Sequence, residues 1–464
     1  MTVRIDRARL RRAGERSESL ELAEAAFGSI EPERLIRAAV SLDEKALFVD
    51  GERLTVDEEA VWVLAVGKAS TPMARAAEDV LGSRLAGGIA IVPRGYGGDT
   101  TRIRVVEAGH PIPDEAGVAA SEAVTRLATE ARADDVVLCL LSGGGSALLA
   151  SPAPDLSVED LAVATGLLLA SGATIDEINT VRRHLSTLQG GGLARLLHAT
   201  RVRTLILSDV AGSRPESIAS GPTVPDPTTF ADAAEVLRQN RLWERVPPPV
   251  RAHIECGLRG MVRETAKLGE DAFNRSSACL LADNATFVEA ICRAASTRGI
   301  AVLRERGPIV GEAREVGREL GRRAVSLASG ARARTVLVGG GETTVTLRGA
   351  GRGGRNQELA LAAALEIAGR AEITVLSIST DGADGPTDAA GAVVDGETVT
   401  AAHDGGLDPE EALASNDAYP LLTVTRDLLF TGPTRTNVAD AVIVLIESTT
   451  GRSASIRRGR TSSS

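Results

Sequence analysis

Aromatic residues make up only 2% of this 464-residue chain, and it contains three lysines (Lys45, Lys68, Lys267) and four cysteines. With so few rings and a formal charge of −10, a nucleic-acid-binding surface is excluded, since such a face needs dense basic charge and usually stacking aromatics. No run approaches the roughly 20 consecutive apolar residues of a membrane span. The Arg-rich N-terminus is interrupted by Asp6, Glu15, Glu18 and Glu21 and leads into no apolar stretch, which argues against a secretory signal. Cys139, Cys256, Cys279 and Cys292 show no CxxC or metal spacing. Cys139 lies inside the run VVLCLL, where a buried thiol is expected. The expectation is a reduced, soluble, cytoplasmic protein with no nucleic-acid or membrane partner.

What is present is a chain long enough for two or three domains. It is 43% hydrophobic, with a core of Ala, Val, Leu and Ile, and it has 48 glycines. Short apolar runs alternate with Ala/Leu/Glu-rich stretches. Strands are expected at Val61–Val66, Ile89–Val92, Val105–Ala108, Val136–Leu141 and Leu205–Ser208, then at Val336–Val338, Thr343–Leu347, Val375–Ser379 and Ala441–Leu445. Helices are expected at 115–132, 161–171, 232–240, 286–298, 312–329 and 357–368. Apolar strands separated by helices indicate sheets covered on both faces, hence α/β. TVLVGG–GE–TTVTL reads as a hairpin, which would make the second sheet mixed. The run Pro247–Pro249 reads as a stiff connector, which places domains at 18–246 and 250–448. The first segment reads as loose and 449–464 as a disordered tail.

Two strands run into triglycine segments, LCLLSGGGSALL and TVLVGGGETTVTL. In the first, Gly143, Gly144 and Gly145 between Ser142 and Ser146 offer backbone N–H groups and hydroxyls to a phosphate or carboxylate. Lys68, in VLAVGKAS, follows a strand and precedes a helix without a Walker A pattern. In a chain with 49 arginines, a lysine at that junction points to a need for a compact ammonium. Gly349, Gly351 and Gly354 satisfy G-x-G-x-x-G, and Arg355 follows at a helix start, where a cation opposes the dipole unless an anion sits with it. Asp209, Asp381, Asp384 and Asp388 follow strands, as carboxylates that help to hold Mg²⁺ do. In INTVRRHLS, Asn179, Arg182, Arg183 and His184 are candidates to face a cleft.

The blocks VGKAS, AGHPIPD, LLSGGGSALL, INTVRRHLS, SIASGPTVPDPTT, GGGETTVTL, GGRNQELALA, STDGADGPTDAAG and TGPTRTNVAD, in this order from about Leu20 to Ile446, resemble the glycerate 2-kinase family. That family carries a MOFRL C-terminal domain and an older hydroxypyruvate reductase label. The resemblance implies a Rossmann-like N-terminal domain, a mixed-sheet MOFRL domain and an active site between them. It also implies transfer of the ATP γ-phosphoryl group to the 2-hydroxyl of D-glycerate. Lys68 and Arg355 match the family's leading catalytic candidates. Beside them, Ser142–Ser146, Arg182, Glu342 and Asn356 are expected to hold substrate or phosphate. Gly340, Gly341, Asp209 and Asp381 are expected to hold the nucleotide, with Asp209 and Asp381 as the Mg²⁺ candidates. Arg183 stands where the family pattern carries lysine, and Gln189 where lysine is common. The expected assembly is a monomer or homodimer. The alternatives are an NAD(P)H-dependent hydroxypyruvate reductase using the 349–354 glycines, a kinase of another small hydroxy acid, and a non-catalytic nucleotide-binding sensor.

Overall fold

The computed structural model describes residues 3–43, 46–210 and 212–448. Lys45 and the expected 449–464 tail lie outside these. The chain divides into two units, one of residues 32–283 and the other of the residues up to Glu31 together with those from Asn284 onward.

In the first unit, β1 (Val40–Asp43), β2 (Ala46–Val49) and β3 (Glu52–Thr55) form a small antiparallel sheet. The main sheet comprises β4 (Val61–Val66), β5 (Leu85–Pro93), β6 (Ile103–Ala108), β7 (Val136–Ser142), β8 (Arg201–Leu207) and β9 (Ser276–Ala282). It is wholly parallel, in the order β6-β5-β4-β7-β8-β9. The chain winds outward from β4 in one direction, then returns to β4's other side with β7, which is the Rossmann strand order. β7 is buried along its whole length because helices cover both sheet faces, and this is why its sequence is a continuous apolar run.

In the second unit, β10 (Ala301–Arg304), β11 (Ile309–Glu312), β12 (Thr335–Thr344), β13 (Ile373–Ser379), β14 (Gly391–Asp395), β15 (Leu428–Leu429) and β16 (Asp440–Ile446) form a mixed sheet. β10 and β11 run parallel to β12, whereas β16 runs antiparallel to both β12 and β13. The fold is therefore α/β with one Rossmann-like and one mixed sheet.

Three local readings change. The expected hairpin at 336–347 is one strand, β12, because Gly339–Gly341 remain extended and pair with β16. The Pro247–Pro249 run starts helix Pro248–Leu258 within the first unit, since proline is tolerated in a helix's first turn. The change of unit falls instead between β9 and helix Asn284–Thr297. The first segment is ordered by burial. Helix Ser17–Phe27 packs on helix Asn284–Thr297, and Arg16, 1% exposed, pairs with Asp395 (2.8 Å) and Asp427 (2.7 Å).

Candidate active site

In open parallel sheets, ligands bind outside the carboxyl ends of the strands where the strand order reverses, which here falls between β4 and β7. Gly67–Ala69 joins β4 to helix Ser70–Leu81, and Gly143–Gly144 joins β7 to the short helix Gly145–Leu148. The two loops are stitched together. The Lys68 N–H donates to Gly143 O (2.9 Å), and the Ala69 N–H donates to Ser142 Oγ (3.0 Å).

Side chains from other loops close on this turn. A Cβ on Gly144 would lie 3.1 Å from His110 Nε2 and 3.6 Å from Lys68 Cγ, and one on Gly143 would overlap the Asp209 carboxylate. Gly144 also has φ +84°, a conformation that strains any side-chain-bearing residue. Lys68, the triglycine turn and Asp209 are thus gathered, together with His110 after β6. Ser146 adjoins them. Its hydroxyl lies 2.9 Å from Ser220 Oγ, and its carbonyl accepts from Gln189 Nε2 (2.8 Å). Lys267 is used elsewhere, bridging Thr228 O and Thr265 Oγ1.

Most of INTVRRHLS has a structural role. Asn179 donates to Ser217 O (3.2 Å), and Arg183 donates to Glu216 O (3.0 Å) and lies 3.3 Å from Asp226. His184 is hydrogen-bonded to Thr180 O (2.8 Å) and Glu264 Oε1 (2.9 Å). Burial works to raise the Glu264 pKa, but the bonds from His184 and from the Phe230 and Thr265 amides prevail and hold it at about 2. Of the four candidates in this block, Asn179, Arg182, Arg183 and His184, Arg182 alone lines a cavity, which it shares with Ser146 and Gln189.

The second unit gathers its own cluster around helix Arg355–Glu366. Arg355 forms a two-pronged pair with Asp440, Nε to Oδ2 at 2.5 Å and Nη2 to Oδ1 at 3.0 Å, while Nη1 donates to Glu342 Oε1 at 2.7 Å. Burial works against the guanidinium charge, but Asp440 and Glu342 outweigh it and hold the pKa above its usual value. The anion expected at this helix end is the chain's own. Asp384, 1% exposed, accepts from the Asn356 N–H (3.1 Å) and Gln357 N–H (2.9 Å). Burial, aided by Asp440, raises the Asp384 pKa to about 6. Sequence reasoning missed Asp440, although it closes the TRTNVAD block.

Several expected ligand groups occupy other positions. Asn356 is buried, with Nδ2 on Asp384 (3.2 Å) and Oδ1 accepting from Ser377 Oγ (2.6 Å), so its side chain braces the helix end. Gly340 and Gly341 lie inside β12 and form no turn; a Cβ on Gly340 would overlap Asn284 Oδ1. They border a cavity of about 10 Å³, too small for a nucleotide. Glu342 faces Arg355. Asp381 accepts from Ser379 Oγ (2.8 Å) and the Ala383 N–H (3.1 Å), as a turn aspartate does. Asp388 is bonded to Tyr419 Oη (2.6 Å).

The G-x-G-x-x-G segment is not a dinucleotide cradle. The Arg348 and Gly349 N–H groups donate to Asn416 Oδ1 (2.6 and 3.1 Å), Gly351 N–H to Ser415 O (3.1 Å), and Arg352 N–H to Asp417 Oδ1 (2.8 Å). These amides are therefore committed to the 415–417 turn. The strands before and after this segment, β12 and β13, are also separated by β16, which runs antiparallel to both, whereas the first two strands of a dinucleotide-binding fold lie side by side. This removes the physical basis of the reductase alternative.

Among the described residues, no group of three or more His, Cys, Asp or Glu is placed to share a metal ion, and no helix is long and apolar enough to cross a membrane. Mg²⁺ commonly uses only one or two carboxylates plus phosphate oxygens. Asp209, set against the glycine turn, fits that requirement.

Residues 18–255 match a domain of unknown function, DUF4147, and residues 335–440 match the MOFRL family. A glycerate 2-kinase of Pyrococcus horikoshii is 44% identical, over 94% of this chain and 98% of its own length. A D-glycerate 2-kinase of Thermotoga maritima is 38% identical, over 90% of this chain and 99% of its own. A crystal structure of glycerate kinase from Thermotoga maritima superposes with a TM-score of 0.79 at 35% identity, covering 93% of this chain and 99% of the other.

Proposed function

The chain belongs to the glycerate 2-kinase family, and we propose that it transfers the γ-phosphoryl group of ATP to the 2-hydroxyl of D-glycerate, giving 2-phosphoglycerate. The observation that carries this reading is Lys68 beside the Gly143–Gly145 turn, at the point where the parallel sheet reverses its order. Phosphoryl transfer asks a protein for positioning and for neutralisation of spreading negative charge, more than for covalent chemistry. A lysine beside a glycine turn supplies both.

In this reading Gly143–Gly145, Ser142 and Ser146 hold a phosphate or the substrate carboxylate, and Lys68 offsets charge on the transferring group. Arg355 serves the same end. Glu342 and Asp440 fix its guanidinium plane, and Asn356 and Asp384 fix the helix end that carries it. Asp209 would hold Mg²⁺ or accept the hydroxyl proton, with Asp381 the second candidate. Magnesium, when bound, supplies charge neutralisation on the phosphate oxygens. A reducing, cytoplasmic setting fits the four free cysteines.

The test is a kinase assay read by mass spectrometry, with D-glycerate and a panel of small hydroxy acids as acceptors. Phosphorylated D-glycerate is expected. ATP consumption with another acid alone would redirect the substrate assignment, and tight ATP binding without turnover would favour a sensor.

A further inference from the structure

Two adjacent arginines on helix Ile175–His184 differ in their surroundings. Arg183 is bonded to a carbonyl and paired with Asp226. Among the described residues, no carboxylate or carbonyl partners the Arg182 guanidinium, and burial alone draws its pKa down to about 10. Arg182 lines a cavity of about 20 Å³, walled largely by apolar side chains such as Leu161, Leu168 and Val181, with Ser146 and Gln189 on its polar side.

Gln189 is 4% exposed, and its Nε2 donates to two backbone carbonyls, Ser146 O at 2.8 Å and Leu149 O at 3.1 Å. Carbonyls only accept, so the amide orientation is forced and Oε1 is left buried without a partner. The cavity is thus lined by a half-buried cation that lacks a counter-ion and by the residue that carries an acceptor lacking a donor. Each is costly until a ligand answers it. A water supplies a donor but no charge, and the dianion of a phosphate monoester supplies charge but no donor. A hydroxy acid supplies both. About 20 Å³ exceeds the ~10–15 Å³ that a single water needs, so the space suits one small group such as a carboxylate and excludes a nucleotide.

We propose that this cavity is the acid-recognition pocket of the enzyme, with Arg182 binding the carboxylate of a small hydroxy acid and Gln189 Oε1 accepting from one of its hydroxyls. The inference rests on the kinase reading for the identity of the acid. Ser146 belongs both to this pocket and to the end of the glycine turn, so an acid anchored here lies next to the residues assigned to the transfer.

Titration calorimetry without ATP tests the pocket separately from turnover. The wild-type protein should bind D-glycerate on the order of 10²-fold more tightly than the uncharged D-glyceramide. It should also bind D-glycerate about 10-fold more tightly than propionate, which lacks both hydroxyls. Arg182→Gln should erase the acid-over-amide preference while ATP affinity stays within about twofold, and Arg182→Lys should recover part of that preference. D-glycerate binding to Arg182→Gln at wild-type strength, or a loss of ATP affinity instead, overturns the proposal. If Arg182→Gln does not fold, the wild-type comparisons and Arg182→Lys decide. If the wild type transfers no phosphate to glycerate, the kinase reading falls while the pocket is still judged with lactate and 3-hydroxypropionate. Binding of these acids that Arg182→Gln abolishes supports the pocket, and no binding of any small acid to the wild type at millimolar concentration overturns it.

Discussion

Asp440 grips Arg355 through both carboxylate oxygens, at 2.5 and 3.0 Å, while its own backbone carbonyl accepts from Asn284 Nδ2 at 2.8 Å. The guanidinium is thus referred to β16 and, through Asn284, to the helix that follows the change of unit. Asp440 is therefore a positioning residue. Asp440→Ala is expected to lower kcat by about 10²-fold, the scale of a misplaced reacting group, with a smaller change in the KM for glycerate. Asp440→Glu, which keeps the charge, should recover part of the rate. A rate equal to wild type in Asp440→Ala, measured under saturating substrates, would dissociate Arg355 geometry from turnover.

Lys68 bears more directly on the chemistry. Lys68→Ala should cost on the order of 10³-fold in kcat, by the scale of phosphate-clamping cations. Lys68→Arg should remain well below wild type, because a planar fork does not replace a compact ammonium. Steady-state kinetics check both variants, and full activity in Lys68→Arg would remove the argument from lysine scarcity.

Gly340 tests the close approach within the second sheet. A methyl there would overlap Asn284 Oδ1 and lie 2.7 Å from Val288 Cγ2. Gly340→Ala is expected to lose about 1–3 kcal/mol in urea unfolding, the scale of an overpacked core. Unchanged stability would show that Asn284 can yield.

The fourth prediction concerns acid stability. Glu264 is held at about 2 against an ordinary glutamate value of 4.5, so the folded state keeps it ionised where the unfolded chain binds a proton. The resulting stability is present above about pH 4.5 and is lost as pH falls toward 2. Thermal melts of the wild type and Glu264→Gln should therefore converge as pH drops through that window. A gap that stays constant from pH 6 to pH 2 would show that Glu264 contributes through packing alone.

What the sequence disclosed follows the range of the interactions. The strand Val61–Val66 was legible because a strand buried on both faces reads as an unbroken apolar run, and Lys68 because a lone ammonium stands out among arginines. The role of Asp440 was not legible, because its partner lies 85 residues away, nor was the anchoring of Arg16 by Asp395 and Asp427, 379 and 411 residues away. The second triglycine read as a turn by analogy with the first. Only the neighbours Asn284 and Ile309 show that its glycines make room for close packing inside a strand. The G-x-G-x-x-G pattern misled for the same reason, since the residues that occupy its amides, Ser415 to Asp417, lie over sixty positions downstream.

The most direct test of the central claim is NMR of the product formed from D-glycerate and ATP by the purified protein. The account predicts phosphate esterified at the 2-hydroxyl, formed in step with ADP. Phosphate at the 3-hydroxyl, or no phosphorylated acid under conditions where ATP binds, would contradict it.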